Sequence, residues 1–324
     1  MAARLNAEPA LPVEVVDLRR LSSRDLDQLL REEVAIWREE LDWDFENSAN
    51  LVRRFIDVHT LSGSALLVNG QVAGYLYYVV EENKGLIGDL YLLRRFCSAV
   101  YEDMLLSCGV NGILGHPHIQ RIESQLLMLQ FIPDRALPQS RYAINRDRNF
   151  MHVKLAGAAL GEGRVRQPMY IENWSDHYQD AAAQIIADAY TGHVDSRIND
   201  QYRSPAGARR FLFNIVQFPG CGTFFRPASY VAFDAVSGQP CGISLASLVA
   251  PEAGHITQIC VSPGVRGTGI GHALLRRSLI TMREMGCLTA SLTVTAANEN
   301  AVALYESVGF RTIRKFSAYA WEGF

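Results

Sequence analysis

A glycine-rich stretch in the last quarter of the chain has the residue types of an anion-binding turn. It runs from Gly264 to Gly271 as GVRGTGIG, after an alternating apolar and polar run that ends at Val261. Glycines let the backbone approach a ligand closely, and the free N–H groups at a helix start attract negative charge. The stretch has neither the lysine of a Walker loop nor the GxGxxG spacing of a dinucleotide turn. We therefore predict a site for a phosphate-bearing ligand of a different class.

The segments around this turn must hold it in place and supply side chains to it. Leu275, Leu279 and Met282 have helical spacing, and Gly286 ends that pattern. The run 288–296 alternates with the period of a strand. A second helical pattern then starts, in which Asn298 can cap the helix and Gly309 can end it. The sequence thus predicts strand, turn, helix, strand and helix in that order.

Together the turn and the last helix resemble the GNAT superfamily of acyl-CoA-dependent N-acyltransferases. Its pyrophosphate motif, Gln/Arg-x-x-Gly-x-Gly/Ala, is matched from Arg266 to Gly271. Its later motif is matched by Asn298, Ala301, Tyr305 and the Gly309-Phe310 pair. Either piece alone is common, whereas their combination at this spacing is specific.

The resemblance implies acetyl-CoA as co-substrate, lying between the strand that ends at Val261 and the strand 288–296. It implies direct transfer, in which proximity and acid–base assistance supply the acceleration and Cys260 has no covalent role. Tyr305 would protonate the leaving thiolate, unless it is only a core aromatic. The expected cofactor-binding positions are Ile259, Cys260 and Val261 for the pantetheine arm, Arg266, Gly267, Thr268, Gly269, Ile270 and Gly271 for the pyrophosphate, and Asn298 for the cofactor arm or only as a helix cap. Arg266 can act through its backbone alone, with a solvated side chain.

The general base is left open by the sequence. GNAT enzymes often use a carboxylate on the strand before the turn, or a water molecule, but here the only acid nearby is Glu252 in the preceding loop. His255 has a suitable intrinsic pKa and is our candidate, with an exposed histidine at the strand edge as the alternative. The acceptor is expected to be a primary amine of a small molecule or peptide. A polar loop, unless it is merely solvated, would bind it through Tyr190, His193, Asp195 and Asp200.

An internal repeat explains the length of 324 residues. The pair Gly70 and Gly74 recurs as Gly238 and Gly242, each between two strand-like runs, with similar segments before and after. We predict an α/β (α+β) fold of two GNAT-like domains, each with a mixed, mostly antiparallel sheet flanked by helices. The expected domains are 1–160 and 165–324. The first copy has no glycine turn after Leu92, so we expect a degenerate domain with a structural or substrate-shaping role.

Composition excludes several other classes of protein. Apolar residues make up 48% and charged residues 20% of the chain, with a formal charge of −3, so we expect no nucleic-acid partner. No membrane span and no signal peptide in Met1 to Pro12 are expected. Six scattered cysteines predict reduced, mostly buried thiols in a cytoplasmic protein without a metal site. His116 and His118 have no neighbouring ligand residues, so we expect an ordinary loop there.

Two functions of different classes remain. The first is a GNAT-type N-acetyltransferase, with transfer of a different acyl group as a variant of it. The second is a non-catalytic sensor or scaffold that binds acyl-CoA. The intact segment from Asn298 to Tyr305 favours the enzyme, and the sequence leaves the oligomeric state open.

Overall fold

The computed structural model describes residues 12–218 and 220–324. Apart from Pro12, the expectation about a signal peptide concerns residues outside this part of the chain. The contacts divide the chain into two compact units. Unit 1 contains Met1–Val34, Glu46–Ala143 and Trp321–Phe324, and unit 2 contains Ala35–Phe45 and Ile144–Ala320.

Unit 1 has a five-stranded sheet in the order β1-β2-β3-β4-β5. Its neighbouring strands are antiparallel except for the parallel pair β4 and β5. The elements are β1 (Val13–Asp17), α1 (Ser23–Leu41, whose end belongs to unit 2), α2 (Glu46–Asp57), β2 (Ser62–Val68), β3 (Gln71–Glu81), β4 (Lys84–Leu92), α3 (Ala99–Leu114) and β5 (Arg121–Gln125). His116 and His118 lie in the loop after α3, as expected.

Unit 2 has a sheet in the order β13-β6-β12-β11-β10-β9-β7, with the short β8 paired to β10. β11 and β12 are parallel, and the other registered pairs are antiparallel. The elements are β6 (Ala143–Lys154), β7 (Met169–Asn173), α4 (Gln179–Tyr190), α5 (Pro205–Gln217), β8 (Thr223–Phe224), β9 (Tyr230–Asp234), β10 (Pro240–Ala250), β11 (Ala253–Val261), α6 (Ile270–Glu284), β12 (Thr289–Thr295), α7 (Glu299–Val308) and β13 (Arg311–Glu322).

The predicted repeat is visible as one topology formed twice. The order β7, β9, β10, β11, β12 in unit 2 corresponds to β1 through β5 in unit 1. Both copies also have a register shift in the same hairpin, between Tyr77 and Tyr78 in the first and between Leu245 and Ala246 in the second. The mixed, mostly antiparallel sheets flanked by helices confirm the predicted fold class.

The contacts divide the chain at a different place from the predicted 160/165 boundary. Residues from Ile144 onward belong to unit 2, because β6 pairs with β12 over seven positions, from Lys154↔Thr289 to Arg148↔Thr295. Unit 2 also takes Ala35–Phe45, whose Asp44 N–H donates to Val249 O at 2.7 Å. The predicted boundary lies after the 3₁₀ turn Leu155–Gly157, and therefore after β6.

Apolar packing on one face of the unit 2 sheet fixes the helix that follows the glycine turn. Leu275, Leu279 and Met282 of α6 are fully buried, as their spacing predicted. They pack with strand residues such as Met151 and Leu292. Burying large apolar side chains contributes roughly 1.5–3 kcal/mol each. The body of α6 is therefore held against this face of the sheet.

Candidate active site

The two central parallel strands of unit 2 separate and leave a cleft. Their ladder runs from Ala253↔Thr289 to Ile256↔Leu292, while β11 continues to Val261 and β12 to Thr295. A bulge around Thr257 lies where the separation begins, because Leu245 pairs with Gln258 but Ala246 with Ile256. The backbone groups of Ile259, Cys260 and Val261 lie on one edge of this cleft. The predicted position of an extended ligand therefore exists in the fold.

The glycine turn closes one end of the cleft in a backbone conformation that requires glycine. Gly267 and Gly269 have φ angles of 73° and 95°, which side-chain-bearing residues rarely adopt. A Cβ at Gly269 would lie 2.4 Å from Arg164 O, whereas one at Gly267 would meet nothing within 4 Å. The turn is thus packed on its inner side and open on its outer side.

Helix α6 begins directly at this open face. The Ala273 N–H donates to Gly269 O at 3.0 Å, so the N–H groups of Ile270, Gly271 and His272 precede the first such bond. Thr268 Oγ1 donates to Val265 O at 2.7 Å and braces the turn. The arrangement fits a pyrophosphate, because N–H groups without a partner inside the helix and a helix start both favour negative charge.

Two predicted cofactor contacts have additional partners. The exposed Arg266 is tethered rather than free, since its Nη2 donates to Ala189 O at the end of α4 at 2.5 Å. Asn298 caps α7 as predicted, with Oδ1 accepting the Ala301 N–H at 3.4 Å. Its Nδ2 also lies 3.4 Å from His193 Nε2. Asn298 therefore joins the start of α7 to the acceptor loop.

Tyr305 lies on the buried face of α7, with a ring that contacts Phe310 at a centroid distance of 6.0 Å. Burial raises the pKa of its phenol, and the negative charge of Asp195 raises it further. The charge of Arg148 has the opposite, smaller effect on this pKa. The phenol consequently stays protonated at neutral pH and remains a potential proton donor.

His255 is buried rather than exposed at a strand edge. Its Nδ1 lies 2.9 Å from Ser291 Oγ, and its ring contacts Trp43 and Phe150 at centroid distances of 5.1 and 6.1 Å. Burial lowers its pKa to about 3. These contacts do not favour the predicted base role, because a group with this pKa is a weak proton acceptor at neutral pH.

Aromatic and amide side chains line the β11 side of the cleft. Tyr190 and Tyr202 stack with centroids 4.2 Å apart, and Gln258 Nε2 donates to Tyr190 OH at 3.1 Å. Cys260 packs in the same cluster. Burial raises the pKa of its thiol to about 12, so it stays a thiol and is a poor nucleophile.

The predicted acceptor loop places His193 and Asp195 at the end of β12. Asp195 is 8% exposed, and its Oδ1 accepts a hydrogen bond from Thr295 Oγ1. The Asp195 N–H donates to His193 Nδ1 at 3.2 Å. Tyr190, His193 and Asp195 therefore converge on one cleft, whereas Asp200 begins the following 3₁₀ helix, Asp200–Arg203.

Arg148 is a further polar side chain in this cleft that the sequence did not single out. It lies on β6 opposite Thr295, is 8% exposed, and donates from Nη2 to Thr293 Oγ1 at 3.1 Å. Its charge acts on the pKa values of both Tyr202 and Tyr305. The arginine precedes the C-terminal motifs by more than a hundred positions, so only the strand pairing reveals its place.

The corresponding turn of unit 1 has a different construction. A 3₁₀ helix, Arg94–Phe96, follows β4, and the Ser98 side chain caps α3 by accepting the Tyr101 N–H at 3.3 Å. A capped helix start with side chains in place of glycines gives a pyrophosphate little access to the backbone.

Other expectations concern metals, membranes and thiols. Within residues 12–218 and 220–324, no group of three or more candidate side chains could hold a metal, and no helix is long and apolar enough to span a membrane. All six cysteines are free. Cys241 and Cys287 are buried, Cys108 and Cys260 are partly buried, and Cys97 and Cys221 are exposed, so the thiols are less buried than expected.

Curated proteins resemble this chain over short alignments. Over 67 residues it is 37% identical to a mycothiol acetyltransferase of Propionibacterium freudenreichii, covering 21% of this chain and 22% of that protein. Over 81 residues it is 36% identical to the [ribosomal protein bS18]-alanine N-acetyltransferase of Escherichia coli, covering 24% and 54%. The alignments thus span about a fifth and about half of these curated relatives.

The whole chain also resembles a solved structure. A tandem GNAT protein from the clavulanic acid biosynthesis pathway superposes with a TM-score of 0.60 at 13% identity, covering 96% of this chain and 98% of that one. This likeness supports the tandem fold. Residues 168–310 match the model of the Acetyltransferase (GNAT) family. This segment contains the cleft, the turn and Tyr305. Through this segment, the chain is similar to the Acetyltransferase (GNAT) family.

Proposed function

We propose that the protein transfers acetyl from acetyl-CoA directly to a primary amine of a small molecule or peptide, in the cytoplasm. The observation that carries the proposal is the cleft between β11 and β12, with helix-start N–H groups that have no intrahelical partner at one end and a protonated Tyr305 beside it. In this proposal unit 2 is the catalytic domain and unit 1 a degenerate companion. Acetyl-CoA would supply the activated acetyl thioester.

Backbone groups would hold the co-substrate in this arrangement. N–H groups from Arg266 to Gly271 would bind the pyrophosphate, and those of Ile259 to Val261 would bind the pantetheine arm. Asn298 would contact the same arm while capping α7. The outer side of the turn, where a Cβ on Gly267 meets nothing within 4 Å, leaves space for the ligand.

Two side chains would donate and accept the protons of the reaction. Tyr305 would donate a proton to the departing thiolate, because its raised pKa keeps the proton in place until it is needed. Asp195 would hold the ammonium of the acceptor and receive the proton that the amine loses before it attacks. We prefer Asp195 to His255 for this step, because Asp195 contacts Thr295 at the end of β12, whereas His255 is packed against Trp43 and Phe150.

A panel of primary amines with acetyl-CoA tests the proposal. It contains amino acids, amino sugars, polyamines and short peptides, and thiol release is followed together with the mass of the product. We expect release of one thiol per amine acetylated, for at least one class. Binding of CoA without acetyl transfer to any amine would favour a sensor or scaffold. Thiol release from another acyl-CoA but not from acetyl-CoA would mean that the protein transfers a different acyl group.

A further inference from the structure

Arg148 has far fewer partners than a buried guanidinium needs. A guanidinium has five N–H donors and keeps its charge at any physiological pH. Among the described residues, Thr293 is its one hydrogen-bond partner, and the buried Nε has none. No described carboxylate lies within the 4.0 Å of an ion pair with it. Because burying an unpaired charge costs free energy, binding of an anion from outside the chain would stabilise this side chain.

Arg148 points to the reacting end of the cleft. It pairs across the ladder with Thr295, whose hydroxyl donates to Asp195. The charges of Arg148 and Asp195 both act on the phenols of Tyr202 and Tyr305, with opposite sign. A buried positive and a buried negative charge therefore flank the group that we propose as the acid.

From this pairing of charges we propose that the acceptor carries a carboxylate close to its amine, as a free amino acid does, and that Arg148 binds the carboxylate. The inference rests on the proposed function and narrows its acceptor. Asp195 would hold the ammonium while the planar guanidinium of Arg148 holds the planar carboxylate. Arg148 and Asp195 both lie beside Thr295 at the end of β12. This arrangement suits a ligand whose positive and negative charges are separated by a few bonds.

Two other acceptors fit this cleft less well. A peptide N-terminus has an amide where a free amino acid has its carboxylate, so it would leave Arg148 unpaired. A phosphorylated amine would bring up to two negative charges into a site that already contains the buried Asp195. The net charge of one arginine and one aspartate instead matches a zwitterion.

The test compares α-amino acids with the corresponding α-amino amides, using acetyl-CoA and the full chain. We expect kcat/KM to be at least about tenfold higher for the acids, because a site built for one polar group rejects analogues that lack it. Arg148→Met should lower this preference to within about threefold, and Arg148→Lys should restore only part of it. Arg283→Met, at an exposed position near the end of α6, is the matched control and should keep the preference.

A binding measurement keeps the inference separate from the activity. N-acetyl amino acids and their amides are titrated by calorimetry into the wild type, Arg148→Met and Arg283→Met in the presence of CoA. Tighter binding of the acids to the wild type and to Arg283→Met, but not to Arg148→Met, supports the inference even if no amine is acetylated. That combination would count against the proposed function alone.

Several results would overturn the inference. One is equal turnover or equal binding of acids and amides by the wild type. Another is an unchanged preference in an Arg148→Met protein that keeps its CoA affinity and unfolding temperature. Preference for a phosphate-bearing amine such as phosphoethanolamine over every amino acid would mean that Arg148 binds a phosphate and not a carboxylate.

Discussion

Burial alters the acid–base behaviour of the two side chains that the sequence predicted to be catalytic. It raises the pKa of Tyr305, which keeps the phenol protonated, and lowers that of His255 to about 3, which keeps the imidazole neutral. The first change suits a proton donor. The second makes His255 a neutral hydrogen-bonding partner of Ser291 instead of a base.

The lowered pKa of His255 gives a pH dependence of stability with a definite sign. Between about pH 6.5 and 3, His255 binds a proton in the unfolded chain but not in the folded chain. The free energy of unfolding therefore falls as the pH falls. One such group contributes a slope of roughly 1 to 2 kcal/mol per pH unit at most. Denaturant unfolding between pH 7 and 4 should show this slope in the wild type and a shallower one in His255→Asn.

The exposed His116 serves as the control residue for this measurement. His116→Asn should have the same slope as the wild type. An identical slope in His255→Asn would mean that the imidazole titrates normally in the folded protein.

Site residues whose neighbours are close in the chain could be predicted from the sequence. The turn before α6 and the segment from Asn298 to Tyr305 were readable because each motif lies within one element. Arg148 and the burial of His255 depend on partners far away in sequence. Thr293 is 145 positions from Arg148, and Trp43 comes from the first 45 residues, so no local pattern contained either contact.

The elements around the cleft largely follow the predicted patterns. The strand ending at Val261, the helix with Leu275 and Leu279, and the helix capped by Asn298 all form where the sequence placed them. Apolar periodicity and helix caps act locally, which explains this agreement. The bulge near Thr257 was not predicted, because register between strands is set by tertiary packing.

The glycine turn permits a test with two substitutions in one element. Gly269→Ala should weaken acetyl-CoA binding at least about tenfold, because its φ of 95° disfavours a side chain and a Cβ would clash with Arg164 O at 2.4 Å. Gly264→Ala, where a Cβ meets nothing within 4 Å, should bind nearly as the wild type does. Calorimetric titration with CoA measures both, and equal affinities would show that the turn geometry is not needed for binding.

At the scale of the whole molecule, the repeat does not divide the chain into two self-sufficient halves. The topology is duplicated, yet the sheet of unit 2 includes β6 and its core includes Met151 and Val153, all from the sequence before residue 160. The sequence revealed the duplication because similar residues recur in the same order. It could not reveal which copy a strand joins, because β6 has no counterpart in the motif that carried the resemblance.

This strand assignment predicts the behaviour of fragments. Residues 165–324 alone should be poorly folded and should not bind CoA, because β12 loses seven paired positions and the core loses the three buried side chains of Met151, Val153 and Leu155. Co-expression with residues 1–160, which supply β6 on a separate chain, should restore soluble protein and CoA binding. Full CoA affinity in the isolated 165–324 fragment would contradict this assignment.

The central claim is that unit 2 acetylates an amine with Tyr305 as the proton donor. Its most direct test is the kcat of Tyr305→Phe with acetyl-CoA and the best amine of the panel, measured together with CoA affinity. We expect kcat to fall roughly 10²- to 10⁴-fold with CoA affinity within about twofold of the wild type, whereas Tyr170→Phe at an exposed site leaves both unchanged. Unchanged kcat in Tyr305→Phe, or no transfer to any amine by the wild type, would contradict the claim.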